Sequence, residues 1–550
     1  MNFCDKENVN ILTSLLIAHG VRHAFVCPGS RNAPIVHNLN DCREIACHPV
    51  TDERSAGFQA LGLSLAEGCQ SVVVCVTSGS ALLNLYPAVA EAYYQQVPMI
   101  VISADRPIQW IDQLDGQTLP QSDALGKLVR KAVCLPEVTH GEQQEEMHRY
   151  CNRLINECLL ACMDKTKGPV HINVPISEPL YSFTTHILPM ERKITCHDLE
   201  CEQDFLGNAE LSQVLNHSHR PLIVLGQTEN DKDAHILFKL LNDSFVLLSE
   251  ALSLPNHFEE ILDKVKDDHR FRPDLVIYMG GHIVSKRLKQ YLRSLDNIPQ
   301  WRISSTGNIE DTFLHLTKVV RTTPMYFAHF LVQQHHQDAN DFVALWKQEM
   351  KEAQARIAHF EPAYSSMAAI KCFHATIPEP CVIYGNSSAI RLGNIFSNTH
   401  VYCNRGVNGI EGTLSTAAGF SISPRYTHKN VYCILGDLSF FYDQNALWNQ
   451  NLRSNLRIIV LNNGGGAIFG KFKGLRESDA RENMVMAEHQ TSAEGICLQN
   501  KIQYLPAHNM EEMNTGIQRL SQEKTDRPML LEVFTDIDID NQMMEEYNNK

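Results

Sequence analysis

The same spacing of apolar runs occurs twice along this chain, and that repetition limits the folds open to it. In the first part, the runs Ala24–Cys27, Val72–Val76, Met99–Ser103 and Val170–Val174 alternate with amphipathic stretches. In the last part, Cys381–Tyr384, Val431–Leu435, Ile458–Leu461 and Met529–Phe534 do the same. Val72 to Val101 spans 101 − 72 = 29 residues, and Val431 to Val460 spans 460 − 431 = 29. Cys27 to Glu53 is 53 − 27 = 26, against 411 − 384 = 27 from Tyr384 to Glu411. The closing runs that begin at Gly168-Pro169 and Arg527-Pro528 are offset by 527 − 168 = 359. Short Val/Ile/Leu runs bounded by Gly or Pro, with helical stretches between them, read as strands of parallel sheets covered on both faces. Two similar α/β domains are therefore expected, at 1–182 and 365–550.

A third α/β region is expected between them, at 205–335, with strands at Leu222–Leu225, Phe245–Leu248, Leu275–Tyr278 and Ile303–Ser305. Two polar stretches flank it as linkers: Tyr181–Gln203, and Gln333–Asp341 followed by a charged helix at Leu345–His359. Three domains suit a chain of 550 residues, at roughly 100–200 residues per domain. The expected fold class is α/β, with mainly parallel sheets.

Charge excludes some partners. The balance is 48 − 63 = −15, which argues against a nucleic-acid or anionic-membrane binder, since both need a basic face. The 17 cysteines include no CxxC pair, so neither a zinc site nor a disulfide framework is indicated. The polar start Met1-Asn2-Phe3-Cys4-Asp5-Lys6 has no signal-peptide core. No run approaches the roughly 18 apolar residues of a membrane span. A cytoplasmic protein is expected.

The sharpest chemical signal is Val431-Tyr432-Cys433-Ile434-Leu435-Gly436-Asp437-Leu438-Ser439, followed by Ile458-Ile459-Val460-Leu461-Asn462-Asn463-Gly464-Gly465-Gly466. A strand ends at Gly-Asp, a helix follows, and the next strand ends at Asn-Asn-Gly. Both ends then fall on one edge of the sheet, where open α/β folds bind ligands. A diphosphate there needs N–H donors at a helix start, from Gly436 to Ser439, and a divalent cation. Magnesium wants about six oxygen ligands. Asp437 can supply a carboxylate oxygen, Asn463 an amide oxygen, and the glycine turn at Gly465 a backbone carbonyl.

Gly-Asp followed at this distance by Asn-Asn resembles the thiamine diphosphate signature of the pyruvate decarboxylase-like superfamily. Further motifs narrow the resemblance. They are Phe25-Val26-Cys27-Pro28-Gly29-Ser30-Arg31-Asn32, Thr51-Asp52-Glu53-Arg54, Thr77-Ser78-Gly79-Ser80-Ala81, Ser103-Ala104-Asp105-Arg106-Pro107, Gly385-Asn386-Ser387-Ser388 and Asn404-Arg405-Gly406-Val407-Asn408-Gly409-Ile410-Glu411-Gly412. Together they are similar to the 2-succinyl-5-enolpyruvyl-6-hydroxy-3-cyclohexene-1-carboxylate synthases of menaquinone biosynthesis. The resemblance covers both outer domains and is weaker in the middle. It implies the order pyrimidine-binding, central and diphosphate-binding domain. It also implies a homodimer or homotetramer with shared active sites, thiamine diphosphate, and Mg2+ or Mn2+.

The resemblance further implies residue roles. Glu53 would bond the aminopyrimidine ring of the cofactor; a carboxyl group in an apolar pocket can share a proton with a ring nitrogen. The substrates implied are 2-oxoglutarate, which loses carbon dioxide, and isochorismate, which receives the resulting carbanion in a 1,4 sense. Both carry two carboxylates, which suit the arginine fork. Arg31, Arg391 and Arg405 match substrate-facing arginines, and Ser30 and Ser387 nearby hydroxyls. Gln117 matches a family glutamine, although its neighbours Gly116 and Thr118 differ from the commoner Asn-Gln-Ala form. Lys286 and Arg287 match a basic pair that reaches the site from the central domain. Ile410 would hold the cofactor bent, and Ile468 and Phe469 would line the cavity.

Two other classes compete. Another thiamine diphosphate decarboxylase or acetolactate-type synthase would share the metal motif, but a pyruvate enzyme has no use for Arg31, Arg391 and Arg405 together. A non-enzymatic relative, a cofactor-binding or scaffolding protein that has lost catalysis, is the second rival, and the presence of Glu53, Asp437 and Asn463 together argues against it.

Overall fold

Most of the central strands form where the sequence offers apolar runs, and they are buried on both faces. The computed structural model describes residues 2–139, 141–196, 209–334, 341–449, 451–471 and 478–549. In the N-terminal sheet the strands are β1 (His23–Val26), β2 (Ala46–Pro49), β3 (Val72–Val76), β4 (Met99–Asp105), β5 (Ala132–Cys134) and β6 (Val170–Pro175). They lie in the order β2-β1-β3-β4-β6-β5, all parallel.

The central sheet contains β7 (Pro221–Leu225), β8 (Val246–Ser249), β9 (Leu275–Met279), β10 (Gln300–Ile303) and β11 (Leu316–Val320). Their order is β11-β10-β9-β7-β8. The C-terminal sheet contains β12 (Cys381–Tyr384), β13 (Tyr402–Cys403), β14 (Val431–Gly436), β15 (Leu456–Asn462), β16 (Gln503–Ala507) and β17 (Met529–Phe534). Its order is β13-β12-β14-β15-β17-β16, the topology of the first sheet again. The repeat in the sequence is therefore a repeat of fold: β3 and β14 start 431 − 72 = 359 residues apart, and β6 and β17 start 529 − 170 = 359 apart.

The strands that pattern alone did not reveal are β2, β5, β11, β13 and β16, and every one is a sheet edge. Edge strands are short and half covered, so they lack the apolar run that marks a central strand. The strand expected at Ile303–Ser305 lies at Gln300–Ile303 instead. Buried Gln300 and Arg302 hide it from a hydrophobic scan. Arg302 is accommodated by an ion pair to Glu310 at 2.7 Å and by stacking on the Tyr278 ring at 4.4 Å.

The flanking stretches are less free than their polarity suggests. The helix expected at Leu345–His359 begins at Asp341, and it carries the fully buried Trp346, whose indole N–H donates to Phe271 O at 3.3 Å in the central core. The described part of the first linker lies along the N-terminal domain, where His148 bridges Glu7 at 2.6 Å and Glu191 at 2.8 Å. The outer domains meet through the Glu53–Ala66 and Thr413–Ile422 helices, both buried over most of their length. Among the described residues, no helix is long and apolar enough to cross a membrane.

Candidate active site

Parallel strands all point one way, so every loop that follows a strand leaves from the same edge. The order of the third sheet reverses between β12 and β14, and the loops parting there open a crevice. Gly385-Asn386-Ser387 follows β12, Asp437 follows β14, and Asn463 follows the adjacent β15.

Asp437 is buried, and its carboxylate is held by backbone amides. Oδ2 accepts from Gly464 N at 2.8 Å and Gly465 N at 3.0 Å, and Oδ1 from Leu438 N at 2.6 Å. Gly464 and Gly465 have φ of 79° and 158°, a turn that lets two N–H groups converge on one oxygen. Burial raises the Asp437 pKa against these hydrogen bonds and the nearby His489, whose Nε2 lies 3.5 Å from Oδ2. Asn463 donates through Nδ2 to Asp540 at 2.9 Å, which leaves Oδ1 as its free ligand atom. A buried acid with no Lys or Arg partner among the described residues, a neighbouring amide oxygen and a glycine turn fit a divalent cation that takes its other ligands from a phosphate. Among the described residues no cluster of three His, Cys, Asp or Glu side chains could hold a metal by itself. Ser439 donates its hydroxyl to Ile410 O, tying the helix start to the loop whose Ile410 side chain is exposed. Asn463, Ile468, Ser388 and Arg391 line one groove, of about 450 Å³. Phe469 is partly exposed beside Ile468.

The arginines expected to face substrate fall into two groups. Arg405 donates through Nη1 to Asn386 Oδ1 at 2.8 Å, and Asn386 Nδ2 spans Asn404 O and Gly409 O. Its Nε is buried without a partner among the described residues, a donor left for a ligand. The loop is held from the N-terminal domain by buried Glu91, which accepts from Gly406 N at 2.6 Å and Val407 N at 2.8 Å. Burial lowers the Arg391 pKa, with Glu259 opposing and Arg405 adding to the effect. Ser387, at φ 72°, takes a backbone conformation that costs a non-glycine residue about 1–3 kcal/mol.

In the N-terminal domain, Arg31 is buried after β1 and donates to Ile176 O at 2.9 Å and Glu178 at 3.4 Å. Burial and the neighbouring Arg106 both lower its pKa. Ser30 and Gln117 are exposed on nearby loops, Gln117 at φ 57°. Glu53 opens the Glu53–Ala66 helix and accepts from Asn84 Nδ2 at 3.0 Å. Among the described residues no hydrogen bond or ion pair joins it to Asp437 or Asn463.

Four residues that the motifs did not single out belong to these groups. Arg106, at the end of β4, pairs with Asp115 at 3.1 Å beside Arg31; the Asp105-Arg106-Pro107 turn is its sequence signal. In the central domain Lys286 is exposed, and Arg287 pairs with Asp263 and shares Glu259 as a neighbour with Arg391. The groups that interact with Arg405 from that domain are Lys289, His282 and Glu250. Burial lowers the pKa of Lys289 and His282 and pushes Glu250 up to about 7. Lys289 lies three residues past Lys286 on the same helix, and pattern alone does not reveal its interaction with Arg405.

The comparisons agree with this geometry. Residues 7–126 match the thiamine pyrophosphate enzymes, in the N-terminal TPP binding domain. A benzoylformate decarboxylase from Polynucleobacter necessarius shares the fold, with TM-score 0.71 over 97% of this chain and 99% of its own at 13% identity. The 2-succinyl-5-enolpyruvyl-6-hydroxy-3-cyclohexene-1-carboxylate synthase of Phocaeicola vulgatus is 43% identical over 99% of this chain and 98% of its own. Those of Bacteroides thetaiotaomicron and Christiangramia forsetii are 42% and 34% identical over 99% and 98% of this chain, and 99% and 97% of their own. With its Gly-Asp and Asn-Asn-Gly turns meeting at the crevice and relatives matched from end to end, the chain belongs to the 2-succinyl-5-enolpyruvyl-6-hydroxy-3-cyclohexene-1-carboxylate synthase family of thiamine diphosphate enzymes.

Proposed function

We propose that the protein is a thiamine diphosphate- and divalent-cation-dependent transferase of menaquinone biosynthesis. It decarboxylates 2-oxoglutarate and adds the remaining carbanion in a 1,4 sense to isochorismate. One observation carries the reading: in a chain matched end to end by such synthases, the Asp437 carboxylate is held against the Gly464 and Gly465 amides with Asn463 beside it.

Thiamine diphosphate, when bound, supplies the nucleophilic carbon and the electron sink. The chain's own residues do the rest. Asp437, Asn463 and the Gly465 carbonyl hold Mg2+ or Mn2+, and Gly436, Leu438 and Ser439 meet the diphosphate. Glu53 holds a proton at the aminopyrimidine nitrogen. Ile410, Ile468 and Phe469 wall the reacting centre from water, which strengthens each charge interaction within it. Arg391 and Arg405, with Lys289 behind them, bind substrate carboxylates, and Arg31 with Arg106 binds the others. Ser30, Ser387 and Gln117 orient the substrates by hydrogen bonds, and Lys286 approaches from the rim.

Glu53 and Asp437 serve different active sites, each completed by a second chain. The large exposed apolar side chains of Ile108, Trp110, Leu114 and Val407, in the segments that also carry Arg106 and Arg405, support this as surface that a second chain can cover. A homodimer or homotetramer in the cytoplasm follows, and the free thiols among the described residues suit that compartment.

The test is turnover by purified protein with the cofactor and magnesium, following loss of isochorismate. Loss that requires both 2-oxoglutarate and cofactor supports the reading. Carbon dioxide release without isochorismate loss moves the protein to a simple decarboxylase.

A further inference from the structure

We infer that Asp540, on the last helix of the chain, is a positioning residue that turns the Asn463 amide oxygen toward the metal. The inference rests on the reading of Asn463 as a metal ligand.

The helix Ile537–Asn548 follows β17. An acid in the first turn of a helix ordinarily serves as a cap or meets the dipole. Here Asp536 already does that work, accepting from Asp538 N at 2.8 Å and Ile539 N at 3.1 Å. Asp540 points elsewhere. Its Oδ2 accepts from Asn463 Nδ2 at 2.9 Å, from Ser366 Oγ at 2.7 Å and from Thr535 Oγ1 at 3.1 Å. Its Oδ1 accepts from Ser366 N at 2.7 Å. One carboxylate thus gathers donors from the loop after β15, the start of the Ser366–Thr376 helix and the end of β17.

An ionised carboxylate only accepts, and an amide has one donating and one accepting end. Pinning the NH2 of Asn463 on Asp540 therefore decides which end is left over, and the remaining end is the oxygen a hard cation needs. Groups that fix a ligand in this way commonly set metal affinity. Asp540, Asn463 and Ser366 also line the groove that contains Arg391 and Ile468, so the anchor lies at the site itself. At its other end the helix is tied to the central domain, where Tyr547 OH donates to Glu260 at 2.6 Å. The positioning carboxylate is thus carried on a helix held at both ends.

The test is Asp540→Asn. Both carboxylate oxygens accept, so whichever way the new amide turns, its NH2 meets a donor. Mn2+ binding is titrated by electron paramagnetic resonance with thiamine diphosphate present, and the melting temperature of the metal-free protein is read in parallel. The expected result is a Mn2+ dissociation constant raised about 10-fold or more, with kcat at saturating Mn2+ changed far less. Ser366→Ala removes a donor but keeps the bond to Asn463, so it should lower the melting temperature without moving Mn2+ affinity. Asp540→Glu, which displaces the oxygens by one methylene, replaces Asp540→Asn if that variant does not fold, and the same rise is expected.

Wild-type affinity in a folded Asp540 variant overturns the inference. An equal loss in Ser366→Ala also overturns it, because the effect would then be structural alone. If the wild-type protein binds no Mn2+ with thiamine diphosphate, the cofactor reading fails, and that outcome is distinct from failure of the positioning role.

Discussion

Gly62 and Gly419 occupy corresponding places in two helices that cross each other. A Cβ on Gly62 would lie 2.0 Å from the Thr416 carbonyl oxygen, and a Cβ on Gly419 would lie 2.0 Å from that of Gln59. The pairs are offset alike, since 419 − 62 = 357 and 416 − 59 = 357. The two outer domains therefore meet about a local twofold axis, through backbone with no side chain between. In an exposed helix interior, Gly→Ala gains about 1 kcal/mol. At this crossing the added methyl group meets a main-chain carbonyl, so Gly62→Ala should destabilise by about 1–3 kcal/mol, the cost of overpacking. Urea unfolding checks it, and a neutral or stabilising result would refute the close crossing.

Glu53→Gln should leave the fold intact and lower kcat by about 10²–10⁴-fold, the usual worth of a placed proton-transfer group. Steady-state kinetics beside a circular dichroism melt separate the two effects. Near-normal turnover would remove Glu53 from the proposed chemistry.

Thiamine diphosphate with Mg2+ should raise the melting temperature, because a ligand that binds only the folded state adds about 2.7 kcal/mol at 100 times its dissociation constant. Chelating the metal should remove most of that gain. Asp437→Ala should abolish it, since the carboxylate opposite the Gly464 and Gly465 amides is lost. A gain in Asp437→Ala equal to wild type would place the metal elsewhere.

His148 makes stability depend on pH. Burial alone would lower its pKa, but hydrogen bonds and charges from Glu7 and Glu191 outweigh burial and raise it. A raised folded-state pKa means that the bridge contributes fully below the ordinary imidazole value of about 6.5. The contribution is lost as pH rises through the folded value. The melting-temperature gap between wild type and His148→Gln should therefore shrink from about pH 6 to about pH 9. A gap constant across that range would show that the ion pairs add nothing.

Arg405→Lys should raise KM for at least one substrate by about 10-fold or more, because a lysine cannot reproduce the guanidinium fork. The bond to Asn386 and the unpartnered Nε are both functions of that fork. Unchanged KM for both substrates would exclude Arg405 from carboxylate binding.

Much of this was legible in the chain itself. Central strands such as β3, β12 and β17 lie where their Val, Ile and Leu runs put them, because a strand covered on both faces is mostly apolar. The Gly-Asp and Asn-Asn-Gly turns were legible as strand ends that the structure brings together at one crevice, because few residues tolerate that backbone at a strand end. The edge strands were not legible, since half-covered backbone needs no continuous apolar run.

What the sequence by itself determined is the repeated α/β framework, its Gly-Asp and Asn-Asn-Gly strand ends and its family, all carried by local pattern and short spacings. Only the tertiary structure decided which distant groups serve them. Asp540 reaches Asn463 across 77 residues, Glu91 holds the Arg405 loop across 315, and Lys289 of the central domain interacts with Arg405. Such partners depend on how helices from separate segments pack over the sheet edges, and single polar side chains carry no periodic signal of where that packing will place them.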